Sequence, residues 1–469
     1  MTGRLKIRLP HTLALVYIMV ILTAAATWIV PGGRYERVEK EGRMVPVAGT
    51  FSLTARNPQG LGALFVSPVK GFIDAAAIIA IVFIVGGAFA VIQKTGAVTG
   101  FIHNVAVKFG ESRALRALLI PVTMLIFSLG GAVFGMCEET MPFVLIFVPL
   151  ALSLGYDSIV GVALPFVGAA AGFAGAFFNP FTVGIAQGIA GLPIYSGMGY
   201  RLVVWAAGTT IAITVVMRYA SRVLRNPQLS PTYQEDLERR QSLSLNIPAS
   251  EAVRLTSAHK RVLLVFLVGM ALLVFGILRY KWYIQEIAGL FLGLGILSGF
   301  LGGLGTEEIA RSFVDGAKDM INAALIIGCA RAILVVATDG RILDTTLYYL
   351  AKAIAGFHPV LSAQMMFASQ CVINFFVHSG TAQAALTMPI MTPLGELVGI
   401  TRQTSVFAFQ LAEYINPILP TSGVTMGVLG LARLRWEKWA KWMVPLVIAW
   451  VLFALLSIIP PVLLHWGPF

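Results

Sequence analysis

Apolar runs of about twenty residues recur from one end of the chain to the other, and this spacing decides which solvent most of the surface must meet. Of 469 residues, 57% are hydrophobic and 12% charged, more apolar surface than a soluble domain of this size can bury. The solvent is therefore lipid. An open sheet cannot satisfy its backbone there, so every segment is read as a helix and the chain as an all-α polytopic membrane protein. The expected spans are 11–30, 72–93, 115–128, 141–154, 159–189, 200–219, 262–279, 284–303, 320–338, 361–377, 384–400, 404–431 and 443–464.

The first run follows Arg4, Lys6 and Arg8, as the core of a signal peptide would, but it is too long. Trp28-Ile29-Val30-Pro31-Gly32-Gly33 also lacks the small residues of a cleavage site, so the run is kept as a membrane helix. The formal charge of +12 sits in the short loops between spans. Lys and Arg placed there report topology and do not call for a nucleic-acid partner. Cys137, Cys329 and Cys371 all fall in apolar segments, which favours packing or site lining over disulfides.

One long polar stretch, from Arg218 to Arg261, carries Arg222, Arg225, Arg239, Arg240, Arg254 and Lys260. Its basic excess makes it a cytoplasmic linker. The expected organisation is an N-terminal membrane half over 1–219, the linker over 220–260 and a C-terminal membrane half over 261–469. The halves share four features in one order. Gly71-Phe72-Ile73-Asp74-Ala75 matches Ser312-Phe313-Val314-Asp315-Gly316. The spans that follow end at Thr95-Gly96 and Asp339-Gly340, and each leads into an amphipathic stretch, 97–109 and 342–357. Thr140-Met141-Pro142 recurs as Thr387-Met388-Pro389, and Asn179-Pro180 as Asn416-Pro417. Basic residues follow span 72–93 but precede span 320–338, so the two copies run in opposite senses. Inverted repeats of this kind are the architecture of alternating-access carriers. The same rule puts the N-terminus in the cytoplasm, although the five basic residues of loop 31–60 weigh against it.

Each half is interrupted twice. The first interruption, Ser128 to Thr140 in one half and Phe375 to Ala384 in the other, gathers glycines between short apolar arms. That pattern suits a re-entrant hairpin whose tip offers backbone amides at mid-membrane; close packing of an ordinary glycine-rich helix is the alternative. The second is the Asn-Pro pair, where proline removes a donor and frees a carbonyl and asparagine adds an oxygen, so Asn179, Pro180, Asn416 and Pro417 become candidate ligands. A plain kink would also explain proline.

Buried charge adds Glu138 and Glu139 beside Thr140, Glu413 three residues before Asn416, and Arg331 in span 320–338. Three acids against one base favour a cation, an ammonium or guanidinium group, or a proton. An internal Arg331–Glu413 pair is the structural alternative. Asp74 and Asp339 are expected at helix ends near water, and His378 either touches the substrate or bonds within its hairpin. Aligning the repeats sets Glu138 and Glu139 against Ala385 and Leu386, and Glu413 against Ala176, so the acids break the symmetry. A substrate with a cationic end and a carboxylate would use such asymmetry.

At Gly135-Met136-Cys137-Glu138-Glu139-Thr140, at His378-Ser379-Gly380-Thr381-Ala382-Gln383 and at the two Asn-Pro breaks, the chain resembles the C4-dicarboxylate anaerobic carrier family of the ion transporter superfamily. Within it, it is similar to the YfcC-type branch of basic amino-acid antiporters, over essentially its full length. The resemblance implies a scaffold domain, a transport domain with two hairpins and two broken helices, elevator-like movement and a homodimer in the bacterial inner membrane. The expected activity is exchange of basic amino acids such as arginine and ornithine. Glu138, Glu139 and Glu413 would hold the cationic end or a coupling proton, and Ser379, Gly380 and Thr381 the carboxylate. Dicarboxylate transport on the same fold is the alternative substrate reading. No cofactor is expected beyond a coupling Na+ or H+. A membrane-embedded enzyme would need a nucleophile with a base or a metal cluster, and no HExxH, GxSxG or paired Cys-His spacing is present. Neither a Walker A motif nor a filter-like repeat is present to suggest an ATPase or a channel.

Overall fold

The computed structural model describes residues 12–467 except 41–42, 102–103, 105–112, 243–254, 281, 283 and 355, so Arg254, His103 and Lys108 lie outside the described residues. The first helix, α1 (Thr12–Ile29), is followed by a segment that is not helical. There Gly33–Arg34 pairs with Ser52–Leu53 and Arg37–Lys40 with Arg43–Pro46, both antiparallel. This corrects the all-helical reading. The rule that excludes sheet applies inside hydrocarbon, and this polar loop has water for its open edges.

The run expected at 72–93 is two helices, α2 (Leu61–Asp74) and α3 (Ala76–Lys94). They are separated at Ala75, whose backbone (φ −96°, ψ 8°) leaves helical geometry. Next come α4 (Arg113–Phe134), α5 (Thr140–Ser153) and α6 (Ser158–Ala174), then a π turn at Pro180–Gly184 that runs into the short α7 (Ile185–Ile189), and α8 (Met198–Arg225). After the linker helix α9 (Tyr233–Ser242) and a helical pair, α10 (Ser257–Tyr280) and α11 (Ile284–Leu301), the pattern returns. It comprises α12 (Thr306–Lys318), α13 (Ile321–Asp339), α14 (Leu343–Ile354), α15 (Pro359–Phe376), α16 (Gly380–Leu397) and α17 (Arg402–Leu411). A 3-10 segment at Ala412–Ile418 leads into α18 (Gly423–Leu431) and α19 (Trp436–Ser457), and α20 (Ile459–Leu463) ends the series. Among the described residues, six helices are long and apolar enough to cross a membrane.

Lipid offers little hydrophobic drive between helices, so association depends on how closely backbones approach. Close approaches between the halves are reciprocal. α2 packs on α13, where a side chain at Gly71 would fall on the Gly328 carbonyl and one at Gly328 on the Phe72 ring. α12 packs on α3, where a Cβ at Gly316 would stand 2.5 Å from the Gly86 carbonyl oxygen. α1 lies on α13 as α11 lies on α3. Within the first half α4 and α6 run backbone on backbone through Gly131, Gly168 and Gly172. Exposed apolar stripes spaced for one helical face, Leu264, Leu267, Val268, Leu272 and Phe275 on α10 and Ile448, Leu452 and Leu456 on α19, are surfaces for lipid.

The described start of the linker is docked, and α8 carries its own helix to Arg225, beyond the 219 boundary. Asp157 caps α6 at Val160 N (2.9 Å) and also accepts from Tyr219 and Ser230. On α9, Asp236 accepts from the Ser158 amide (3.0 Å), Arg240 donates to the Tyr156 carbonyl (2.7 Å), Arg239 donates to the Arg433 carbonyl, and Glu235 pairs with Lys438. One linker helix therefore ties the α5–α6 corner to the α18–α19 corner.

Candidate substrate-binding site

Two helix interruptions in each half converge. In the first, α4 ends at Phe134, residues 135–139 form a non-helical tip, and α5 resumes at Thr140. The tip turns at Gly135, whose φ of +75° suits a residue without a Cβ. It folds on itself through Glu139 Oε2, which accepts from the Cys137 amide (2.8 Å), and through the Thr140 hydroxyl, which donates to the Cys137 carbonyl (2.6 Å). The second tip is shorter: Val377, His378 and Ser379 separate α15 from α16, whose amino end opens at Gly380.

The Asn-Pro breaks lie directly behind these tips. Asn179 Oδ1 accepts from the Phe181 (2.8 Å) and Thr182 (3.2 Å) amides, and its Nδ2 donates to the Gly131 carbonyl at 3.4 Å. A side chain added at Gly135 would stand 2.8 Å from Asn179 Oδ1, so this break is pressed against its own tip. Asn416 Nδ2 donates to the His378 carbonyl (3.2 Å) and to Glu413 Oε2 (3.0 Å), while its buried Oδ1 has no partner among the described residues. The halves also interlock, since the Thr381 hydroxyl donates to the Phe181 carbonyl (2.9 Å).

A cavity of about 460 Å³ opens where these elements meet, within the range of about 300–1,000 Å³ for small-molecule sites. Glu138 and Glu139 line it from the first tip, and His378, Ser379, Gly380 and Thr381 from the second. Asn416 lines it from the second break, and the amino end of α18 contributes Gly423 and Val424. The far wall belongs to α2 and α13 and carries Asp74 and Arg331, which form an ion pair. With that pair formally cancelled, Glu138 and Glu139 are the remaining carboxylates of the lining, which also includes the amino end of an eighteen-residue helix. Unsatisfied amides and the macrodipole make such an end a place for negative charge.

The other expected residues stand behind the cavity. Glu413 and Pro417, together with Asn416, which lines both spaces, border a separate void of about 20 Å³ reached by Met136 and Cys137 of the first tip. Glu413 is buried, with Oε1 unpartnered among the described residues. Thr140 and Asn179 are fully buried supports, and Pro180 begins the π turn behind Phe181. The proposed Arg331–Glu413 alternative is not what forms, because Arg331 pairs with Asp74 on the neighbouring helix. Asp339 does sit at a helix end, paired with Lys70 at 2.7 Å. Asp74 and Arg331 were not among the residues expected to bind substrate. They are 257 positions apart, and their junction depends on α2 meeting α13. The signal available was the charge of Arg331 within an apolar span.

Comparison with known proteins adds four findings. The model of the family described as the C4-dicarboxylate anaerobic carrier matches residues 9–462. A protein of Escherichia coli (strain K12), named provisionally as the basic amino acid antiporter YfcC, is 36% identical over 470 residues, covering 92% of each chain. An uncharacterized protein of Haemophilus influenzae is 26% identical over 93% of this chain and 94% of its own. Among solved structures, the YdaH transporter of Alcanivorax borkumensis is 16% identical with a TM-score of 0.43, over 98% of this chain and 100% of that one.

Proposed function

Because the chain belongs to the C4-dicarboxylate anaerobic carrier family and is a multi-pass membrane transporter of that type, we propose that it carries amino acids, with exchange of basic amino acids such as arginine and ornithine as its activity. The observation that carries this reading is the charge layout of the cavity, which Glu138 and Glu139 line from the first tip and the Gly380 end of α16 from the second. A dicarboxylate would meet two carboxylates on the first tip, a like-charge arrangement that costs several kcal/mol when desolvated. A basic amino acid places its side-chain cation there and its carboxylate at Ser379, Gly380 and Thr381. The provisional name of the Escherichia coli relative agrees with this choice.

The transport cycle we infer is alternating access by two inverted repeats in an elevator-like movement. The reciprocal packing of α2 on α13 and α12 on α3, and the doubled order of tip and break, support it. The 1–219 and 261–469 halves then form one homodimer-forming protomer in the bacterial inner membrane with its N-terminus in the cytoplasm, coupled to Na+ or H+ where net movement occurs. The basic linker docked at the corners through α9 supports that orientation.

Counterflow in reconstituted vesicles tests the substrate. Vesicles preloaded with arginine should take up labelled arginine and should be inhibited by external ornithine but not by fumarate. Glu138→Gln should lower exchange of arginine by about tenfold, the worth of one charge-assisted contact, and that of its neutral analogue citrulline by much less. Equal losses for both would remove Glu138 from cation binding, and inhibition by fumarate alone would replace the amino-acid reading with the dicarboxylate one.

A further inference from the structure

The wall of the cavity formed by α2 and α13 carries charges that the proposed function leaves unused. Asp74 ends α2, and Arg331 lies mid-way along α13. Each stands one helical turn beyond a glycine of the α2–α13 contact, Gly71 and Gly328, so the close approach of the two backbones sets the pair in register. Both side chains remain open to the cavity, Arg331 at 28% and Asp74 at 47% exposure. The helix contact is already made by the glycines, and an ion pair this open adds little stability of its own. A pair that is not needed as a brace and that lines a polar cavity marks a place where polar substrate meets the wall.

We propose that Arg331 and Asp74 read the α-amino-acid head group: the guanidinium of Arg331 takes the α-carboxylate together with the amino end of α16, and the carboxylate of Asp74 takes the α-ammonium. The proposal rests on the amino-acid reading of the site and deepens it. A basic amino acid presents two cations and one carboxylate. Glu138 and Glu139 answer the side-chain cation, and the Arg331–Asp74 pair answers the zwitterionic head with the opposite polarity. Substrate then replaces an internal ion pair with two intermolecular ones, leaving neither partner bare. A ligand lacking either head charge strands one member of the pair, and site groups left unpaired are a strong source of discrimination. The pair therefore selects amino acids against amines and against hydroxy acids, a choice the two glutamates cannot make.

The test is thermal-shift titration of the purified full-length protein with arginine, with agmatine, which lacks the carboxylate, and with argininic acid, in which a hydroxyl replaces the α-ammonium. Ligand bound only by the folded state raises the melting temperature according to its affinity. Wild type should prefer arginine over both analogues by about tenfold or more. Arg331→Gln should erase the preference over agmatine while keeping that over argininic acid, and Asp74→Asn should do the reverse. The charge swap Asp74→Arg with Arg331→Asp should keep the ligand-free melting temperature but recover neither preference. Should a single variant fail to fold, the swap decides alone. Unchanged preferences in the single variants, or preferences restored by the swap, would reduce the pair to a brace. A wild type stabilised by fumarate and by none of the three probes would instead overturn the amino-acid reading beneath the proposal.

Discussion

The same dipeptide, Asn-Pro, interrupts a helix in each half, and the two asparagines are put to opposite uses. Asn179 spends its oxygen on the amides of Phe181 and Thr182, and its amide reaches back to Gly131. It closes the helix end that its proline opened. Asn416 gives both donor contacts to protein, one to the second tip and one to Glu413, and leaves its oxygen uncommitted beside the cavity. The first break is a structural joint, and the second leaves an acceptor unspent. Repetition in sequence therefore tells where the chain unwinds and not which copy works on substrate.

Variants can break this contrast, beginning with the largest expected effect. Gly135→Val forces a β-branched residue to φ +75° and drives its Cβ toward Asn179 Oδ1, 2.8 Å away. It should destabilise the protein by about 3 kcal/mol or more, seen as a lowered melting temperature. Ser379→Ala at the other tip, where φ is −86°, should change it by less than about 0.5 kcal/mol. Next, Asn179→Ala should cost about 1–2 kcal/mol of stability as a lost helix cap, with arginine affinity of the folded protein unchanged. Asn416→Ala should lower arginine affinity by about tenfold, the worth of one hydrogen bond to a charged group. Equal affinity losses from the two alanine variants would erase the distinction between joint and acceptor.

A further small effect is a reference outside both breaks. Partial burial disfavours charge on Glu235, but its hydrogen bond to Lys438 and the charge of that lysine outweigh burial and hold the carboxyl below its ordinary value of 4.5. A depressed carboxyl stabilises the fold above that value, and the contribution fades as the pH falls below it. Lys438→Met should flatten this acid limb by less than about 1 kcal/mol, as befits a partly exposed pair. Acid unfolding curves of the two proteins would reveal it.

How much could be read in advance varies with the range of the interaction. The tips and breaks were legible because their causes are local: glycines at 130, 131 and 135, and proline after Asn179 and Asn416. The lining by Glu138 and by Ser379 to Thr381 follows from the same short segments. The division of α2 from α3 was missed because apolar residues continue through Ala75 to Ala77, and hydropathy does not register a change of backbone angle. The partner of Arg331 was missed for a different reason. Both Asp74 and Glu413 are acids at sensible depth, and only the glycine contact between α2 and α13 selects between them. The strands of loop 31–60 were hidden by a rule that holds in hydrocarbon and lapses in water.

The glycine seam between α4 and α6 carries one more consequence. At Gly168 a methyl group would stand 2.9 Å from the Met124 carbonyl oxygen, and at Gly172 it would collide outright with that of Ser128. These helices bear the first tip and the first break, so the two are mounted on a single stiff beam whose width is the thickness of bare polypeptide. In the other half the counterparts of α4 and α6 are α15 and α17, where the Asn179–Asn416 alignment sets the side chains of Ser405 and Phe409 in place of Gly168 and Gly172. Those groups can be traded for larger or smaller ones. Repacking is thus open to this contact in one half of the molecule and closed to it in the other.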